Sequence, residues 1–188
     1  MKEGTVYRRE DLALLSKAVD RELNELVEAG KVEKVGPGLY TRPRISRFGS
    51  LPPEQRELVR AFLKTDDFLL TSPNAYNSLG LGLTQLSNEL VVYNRKRIGK
   101  FELGGIVFNF KRPINFPKTP SREFFLVDLL NNLEELPDPL DSLLSSLGRR
   151  IKEFSRPKLE RNARAFGKAR TIKMLMSLIS DEQNTASA

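Results

Sequence analysis

Apolar residues return at helical spacing along residues 17–29, where Val19, Leu23, Leu26 and Val27 fall on one face and the positions between them are polar. That period predicts a helix from Lys17 to Ala29, with Ser16 as its cap and Gly30 ending it in a left-handed conformation. Asp11 is placed to cap a shorter helix reaching Leu14 or Leu15. After Gly30 the pattern shortens: Lys31–Val35 and Leu39–Arg42 read as two strands joined through Gly36-Pro37-Gly38, a hairpin. Helix, tight break, helix and hairpin is the order of a winged helix-turn-helix.

Phe48-Gly49-Ser50-Leu51-Pro52-Pro53 interrupts the periodicity and marks a boundary, so the chain is expected to form domains of residues 1–50 and 51–188. Pro53 suits the first turn of a helix to about Lys64, with Leu58, Val59, Phe62 and Leu63 as its buried stripe. Asp66–Thr71 is a short apolar stretch, and Ser72-Pro73 opens a brief helix. Leu90–Tyr93, Lys100–Leu103 and Ile106–Phe110 read as strands of a small antiparallel sheet. From Ser121 the pattern is helical, and this helix is expected to cover the sheet, so that Phe108, Phe110, Phe124, Phe125, Leu129 and Leu130 share one core. Pro137 and Pro139 end it; further helices are expected over 140–154 and, as a single element, from Pro157 to Ile179, with Ser180–Ala188 disordered. The fold class is α+β: a winged-helix-like unit, then a small sheet packed with helices and a helical C-terminus.

Composition narrows the chemistry. The 188 residues contain neither histidine nor cysteine, which removes the commonest general base, the commonest metal ligand, disulfides and thiolate sites together. The expectation is therefore a binding protein with no catalytic residues, metal or cofactor. No 18-residue apolar run and no apolar core in residues 1–30 point to a cytoplasmic protein without membrane association. Thirty-one Lys and Arg against twenty-four Asp and Glu leave +7, compatible with a polyanionic partner. The charge is segregated near the C-terminus. Residues 121–141 hold one basic and six acidic side chains, whereas 149–173 hold ten basic and two acidic, net +8. Three readings of that stretch stay open: a phosphate-binding face, a site for an acidic protein, or neutralisation by the preceding acids.

Within the winged-helix reading, Lys17, Asp20, Arg21 and Asn24 face away from the apolar stripe, where base edges would lie. Lys34 in the hairpin, and Arg42, Arg44 and Arg47 after it, suit phosphate contacts. Glu22, Glu25 and Glu28 on the same helix support the alternative of a solvated protein-binding domain. Arg95-Lys96-Arg97, near Lys100 and beside Tyr93, is a second basic cluster that suits phosphate and base stacking or, equally, a solvated turn. Arg149, Arg150, Lys152, Arg156 and Lys158 form a further candidate surface. Leu79–Thr84 is glycine-rich but lacks a Walker lysine and reads as a packed turn. Glu134, Glu135 and Asp138 read as surface acids.

A resemblance joins these patterns. Gly4-Thr5-Val6-Tyr7, Asp11-Leu12, Ser16 to Arg21, Leu23, Leu26, Gly30 and Val35 to Tyr40 resemble the N-terminal winged helix of AbiEi-type antitoxins. Asn74-Ala75, Leu79-Gly80-Leu81, Gln85-Leu86 and Tyr93-Asn94 resemble that family's second domain. The resemblance covers roughly residues 4–135 and implies an antitoxin of a type IV toxin–antitoxin, or abortive-infection, phage-defence system. Such a protein binds operator DNA, represses its own operon and opposes a nucleotidyltransferase-like toxin. It places DNA contacts on Lys17, Arg21 and Asn24 and on Arg42, Arg44 and Arg47. Direct toxin contact and oligomeric state stay open, and a free-standing winged-helix regulator is the alternative. An RNA-binding or membrane-surface role for the basic C-terminal helix is a further one. A complete winged helix carries one more helix before Asp11, so the chain is expected to be truncated, to start late, or to complete that core with another subunit or its own C-terminal helices.

Overall fold

The computed structural model describes residues 1–47, 49–83, 86–136 and 139–186, with side chains to Ser180. It is α+β and divides into two compact units: Met1–Leu70 with Asn88–Arg112, and Thr71–Ser87 with Pro113–Ala188. The division differs from the one expected near residue 50, and the reason is a shared core. Val35 and Leu39 of the hairpin pack in one cluster with Leu58, Val59, Phe62, Leu63, Phe108 and Phe110. Cutting at residue 50 would expose that apolar surface on both sides.

In the first unit β1 (Val6–Arg8) leads into α1 (Arg9–Leu12), then α2 (Val19–Glu28), β2 (Glu33–Gly36) and β3 (Leu39–Thr41). β3 lies between the other two strands, antiparallel to each, in the order β1-β3-β2. α2 buries Val19 and Leu23 against Val32, but Val27, expected on the same stripe, is 37% exposed. Ser16 does not cap α2. Its Oγ accepts from Ala18 N at 3.1 Å, closing the preceding turn, and Ala18 holds the capping position without a side-chain bond. Asp11 lies inside α1 and accepts from Arg8 at 2.8 Å instead of capping.

The stretch expected to be a linker forms a second ribbon, β4 (Arg44–Ser46) and β5 (Gly49–Leu51), antiparallel with Ile45 opposite Ser50. Phe48 lies outside the described residues. α3 (Gln55–Leu63) follows, then β6 (Phe68–Thr71), β7 (Leu90–Asn94), β8 (Gly99–Leu103) and β9 (Ile106–Lys111). The sheet has four strands, not three, in the order β6-β7-β9-β8, and it is mixed: β7 pairs parallel with β9. The two-residue Gly104-Gly105 turn, both at positive φ, folds β9 back along β8. β9 takes an inner place because its alternation buries Phe108 and Phe110 completely against α3.

The second unit is built around α4 (Arg122–Asn131), capped by Ser121 Oγ on Phe124 N at 3.1 Å. Because α4 is apolar on nearly all sides, it is an interior helix, not an amphipathic cover for the sheet. Leu126, Val127, Leu129 and Leu130 pack with Tyr76, Leu79, Leu147, Leu159 and Leu175. Phe108 and Phe110 therefore belong to a different core from Leu129 and Leu130. α5 (Leu140–Arg150) follows, with Pro137 and Asp138 outside the described residues. The single helix expected from Pro157 is two, α6 (Arg156–Phe166) and α7 (Ala169–Ala186), and α7 carries helix into the tail expected to be disordered. The break falls at Gly167, where a side chain would collide with Ala163 O. Asn131 of α4 holds both sides of it, donating to Phe166 O and accepting from Lys168 N, each at 2.8 Å.

Candidate nucleic-acid interface

α2 presents its polar face to solvent because Val19 and Leu23 anchor the opposite one. Lys17, in the turn before it, and Asn24 are exposed, and Arg21 is exposed with Glu25 Oε1 3.6 Å away, a weak surface pair. Asp20 is engaged with Arg9, whose Nε and Nη2 approach its two oxygens at 2.9 and 2.6 Å. That hydrogen-bonded contact ties α1 to α2 and holds the Asp20 carboxyl below the usual range. The electrostatics of α2 run against a phosphate partner. Asp20, Glu22, Glu25 and Glu28 oppose the single Arg21, net −3.

The predicted cations after the hairpin are not in open chain. Arg42 pairs with Glu3 at 3.1 Å. Arg44 sits on β4 and its guanidinium packs against the backbone of Gly4, where any side chain would collide with it. Arg47 is exposed in the turn of the ribbon, and Lys34 is exposed on β2. Beside them an apolar groove of about 530 Å³ is lined by Leu26, Val32, Pro43 and Ile45, the last 75% exposed.

The exposed Arg95-Lys96-Arg97 cluster is braced by contacts within the first unit. Asn94, 1% exposed, gathers the turn: its Nδ2 donates to Val92, Arg97 and Lys111 oxygens, and its Oδ1 accepts from Lys96 N and Arg97 N at 2.8 and 2.7 Å. Arg95 pairs with Asp67 at 3.2 Å. Lys96 Nζ donates to Leu63 and Lys64 oxygens, the negative end of α3. The Arg97 guanidinium lies 4.4 Å from the centre of the Phe62 ring. Tyr93 is buried and unavailable to stack on a base, and Lys100 pairs with Glu89 at 2.6 Å. Only the tertiary structure shows this bracing, since Asn94 gives no sequence hint of the five bonds it makes.

In the second unit the basic stretch is only partly neutralised. Arg150 and Arg122 share Glu153, at 2.7 and 3.4 Å, and Arg156 pairs with Glu160 at 2.9 Å. Arg170 pairs with Glu134, whose carboxyl its hydrogen bond holds below the usual range. Arg149 donates to Ser146 Oγ at 3.2 Å. Lys152 and Lys158 are exposed and, among the described residues, make no ion pair; the same holds for Arg161 and Arg164, which the sequence reading did not single out. The step of three from Lys158 to Arg161 and again to Arg164 is their signal in the sequence. The 79–83 loop is a packed turn, with Leu79, Leu81 and Leu83 buried and Arg150 donating to Gly80 O, while Thr84 and Gln85 lie outside the described residues.

Tyr76 and Asp128 form a buried polar pair, the Tyr76 hydroxyl donating to Asp128 Oδ2 at 2.8 Å. Among the described residues no group of three or more acidic side chains is positioned to hold a metal ion, and no helix is long and apolar enough to cross a membrane. In comparison with known proteins, no family model, no curated protein and no solved structure matches this chain.

Proposed function

We propose that the chain is a DNA-binding regulator of the antitoxin type, working by binding without catalysis in the cytoplasm. The observation that carries the reading is connectivity. A short helix, a turn, a ten-residue helix and a hairpin follow one another, and a strand preceding them pairs with the second strand of the hairpin in the order β1-β3-β2. Arg9 N donates to Gly38 O at 2.8 Å, fastening α1 to the hairpin turn. That order supports reading the segment as a winged helix-turn-helix with α2 as its recognition helix, β1 standing where a complete winged helix carries a further helix. Lys17, Arg21 and Asn24 would then read base edges, while Lys34, Arg42 and Arg47 meet phosphates.

Repression of its own operon and opposition to a nucleotidyltransferase-like toxin rest on the resemblance to AbiEi-type antitoxins. Selection of duplexes from a random pool by the full chain tests DNA reading first. Lys17→Ala and Asn24→Ala are each expected to weaken binding to a selected duplex by about 1–3 kcal/mol while leaving random duplex nearly unaffected. Equal binding by both variants would remove α2 from the recognition role. Co-expression of the full chain with the neighbouring gene tests the rest. Growth rescue is the expected result, and a harmless neighbour would leave a free-standing regulator.

A further inference from the structure

We infer that the outward face of α6, carrying Lys158, Arg161 and Arg164, binds the phosphate backbone of duplex DNA. The helix period places these residues together. Each step of three turns back about 60°, so the three cover an arc of about 120° and about 9 Å of axis. Leu159 and Ala163, fully buried, lie on the opposite side and lock that orientation. Glu160, the lone acid on α6, is occupied by Arg156. Among the described residues none of the three outward cations has a carboxylate partner.

The character of the face selects the partner. No large apolar side chain is exposed anywhere among described residues 149–173. A protein partner would be expected to meet an apolar centre, and a membrane surface an apolar stripe; neither is present. Single strands are gripped by aromatic stacking as well as charge, and this face has no aromatic residue. Cations alone suffice for a duplex backbone, because binding is driven by release of condensed counterions. The choice of DNA over double-stranded RNA rests on the proposed DNA-binding function. The cationic face would supply sequence-independent affinity that α2, with its net −3, does not supply.

The test uses the full chain and a variant with Lys158→Ala, Arg161→Ala and Arg164→Ala, changes that favour helix and leave the core untouched. Affinity for short random-sequence duplex DNA is measured between about 50 and 200 mM salt. The expected result is a log–log salt slope shallower by about 2.7, some 0.9 per lost phosphate contact. Affinity should fall by the same factor on random and selected duplexes. An unchanged slope in a variant with an unchanged unfolding curve would overturn the inference. So would tighter binding of the unaltered chain to double-stranded RNA or to phosphatidylserine vesicles than to DNA. The two readings fail separately. If only Lys17→Ala and Asn24→Ala affect selected duplex, the α6 face is not used; if only the α6 variant matters, the phosphate face stands and α2 reads no bases.

Discussion

α2 and α6 are near mirror images in charge. Both are amphipathic helices of similar length, and each buries a narrow stripe, Val19 and Leu23 in one and Leu159 and Ala163 in the other. α2 carries four acids and one base, α6 four bases and one acid. In the function proposed above, α2 would read DNA and α6 would hold it. The difference teaches that recognition and affinity are separable duties: base edges are read by a few directed hydrogen bonds, whereas affinity comes from summed phosphate contacts. It also teaches that a basic residue count says little until partners are assigned. Arg95, Lys96 and Arg97 are engaged by Asp67, the end of α3 and Phe62, while Lys158, Arg161 and Arg164 have no carboxylate partner among the described residues.

The two helices also differ in what supports them, and the largest expected effect probes that. α2 rests on a small cluster of Val19, Leu23 and Val32, and the hairpin after it on the sheet core through Leu39, 2% exposed. Leu39→Ala is predicted to cost about 2–5 kcal/mol in denaturant unfolding and to loosen the amides around Phe108 in hydrogen exchange. Loss of protection confined to the hairpin would mean that hairpin and sheet are separate cores after all.

Next in size is Asn94→Ala, which strands several buried backbone groups at about 1–3 kcal/mol and frees the Arg95–Arg97 turn. Thermal unfolding measures the cost. An unchanged midpoint would show that water replaces the side chain and that the turn is no brace.

The charge contrast itself is sharpened by Glu22→Gln, Glu25→Gln and Glu28→Gln together. If α2 lies against DNA, removing three negative charges should raise the association rate on the order of tenfold, most strongly at low salt. A rate that does not move places α2 away from the duplex.

The smallest effect is the response to acid. Asp20, Glu134 and Glu153 are all held below the ordinary carboxylate range, chiefly by hydrogen bonds from Arg9, Arg170 and Arg150. A carboxyl whose folded pKa is depressed stabilises the fold above its unfolded value and loses that contribution as pH falls through the folded one. Stability should therefore be flat near neutrality and decline below about pH 4. Because all three pairs are solvent-exposed, the decline they cause should be slight and weaken with salt. Asp20→Asn should remove part of it from the melting curve of the first unit; an identical acid profile would show that the Arg9 bond adds nothing.

Local periodicity was sufficient for α2, the β2–β3 hairpin and α3, because each buries positions whose spacing is written in consecutive residues, such as Val19 and Leu23 or Leu58 and Phe62. The absence of histidine and cysteine and the +8 of residues 149–173 are likewise properties of the chain itself. Which cores those stripes join was decided only in three dimensions. Leu39 shares a core with Phe108 across a long stretch of chain, β7 pairs in parallel with β9, and Thr71–Ser87 folds with the C-terminal half. Contacts of that range leave no local period, so residue 50 looks like a boundary when its neighbours in space are ignored. The same holds for charge. Sequence places cations near one another, but whether a cation is free depends on the carboxylates, carbonyl ends and aromatic rings that folding brings beside it, and those came from Asp67, α3 and Phe62 for one cluster and from nowhere among the described residues for Lys158, Arg161 and Arg164.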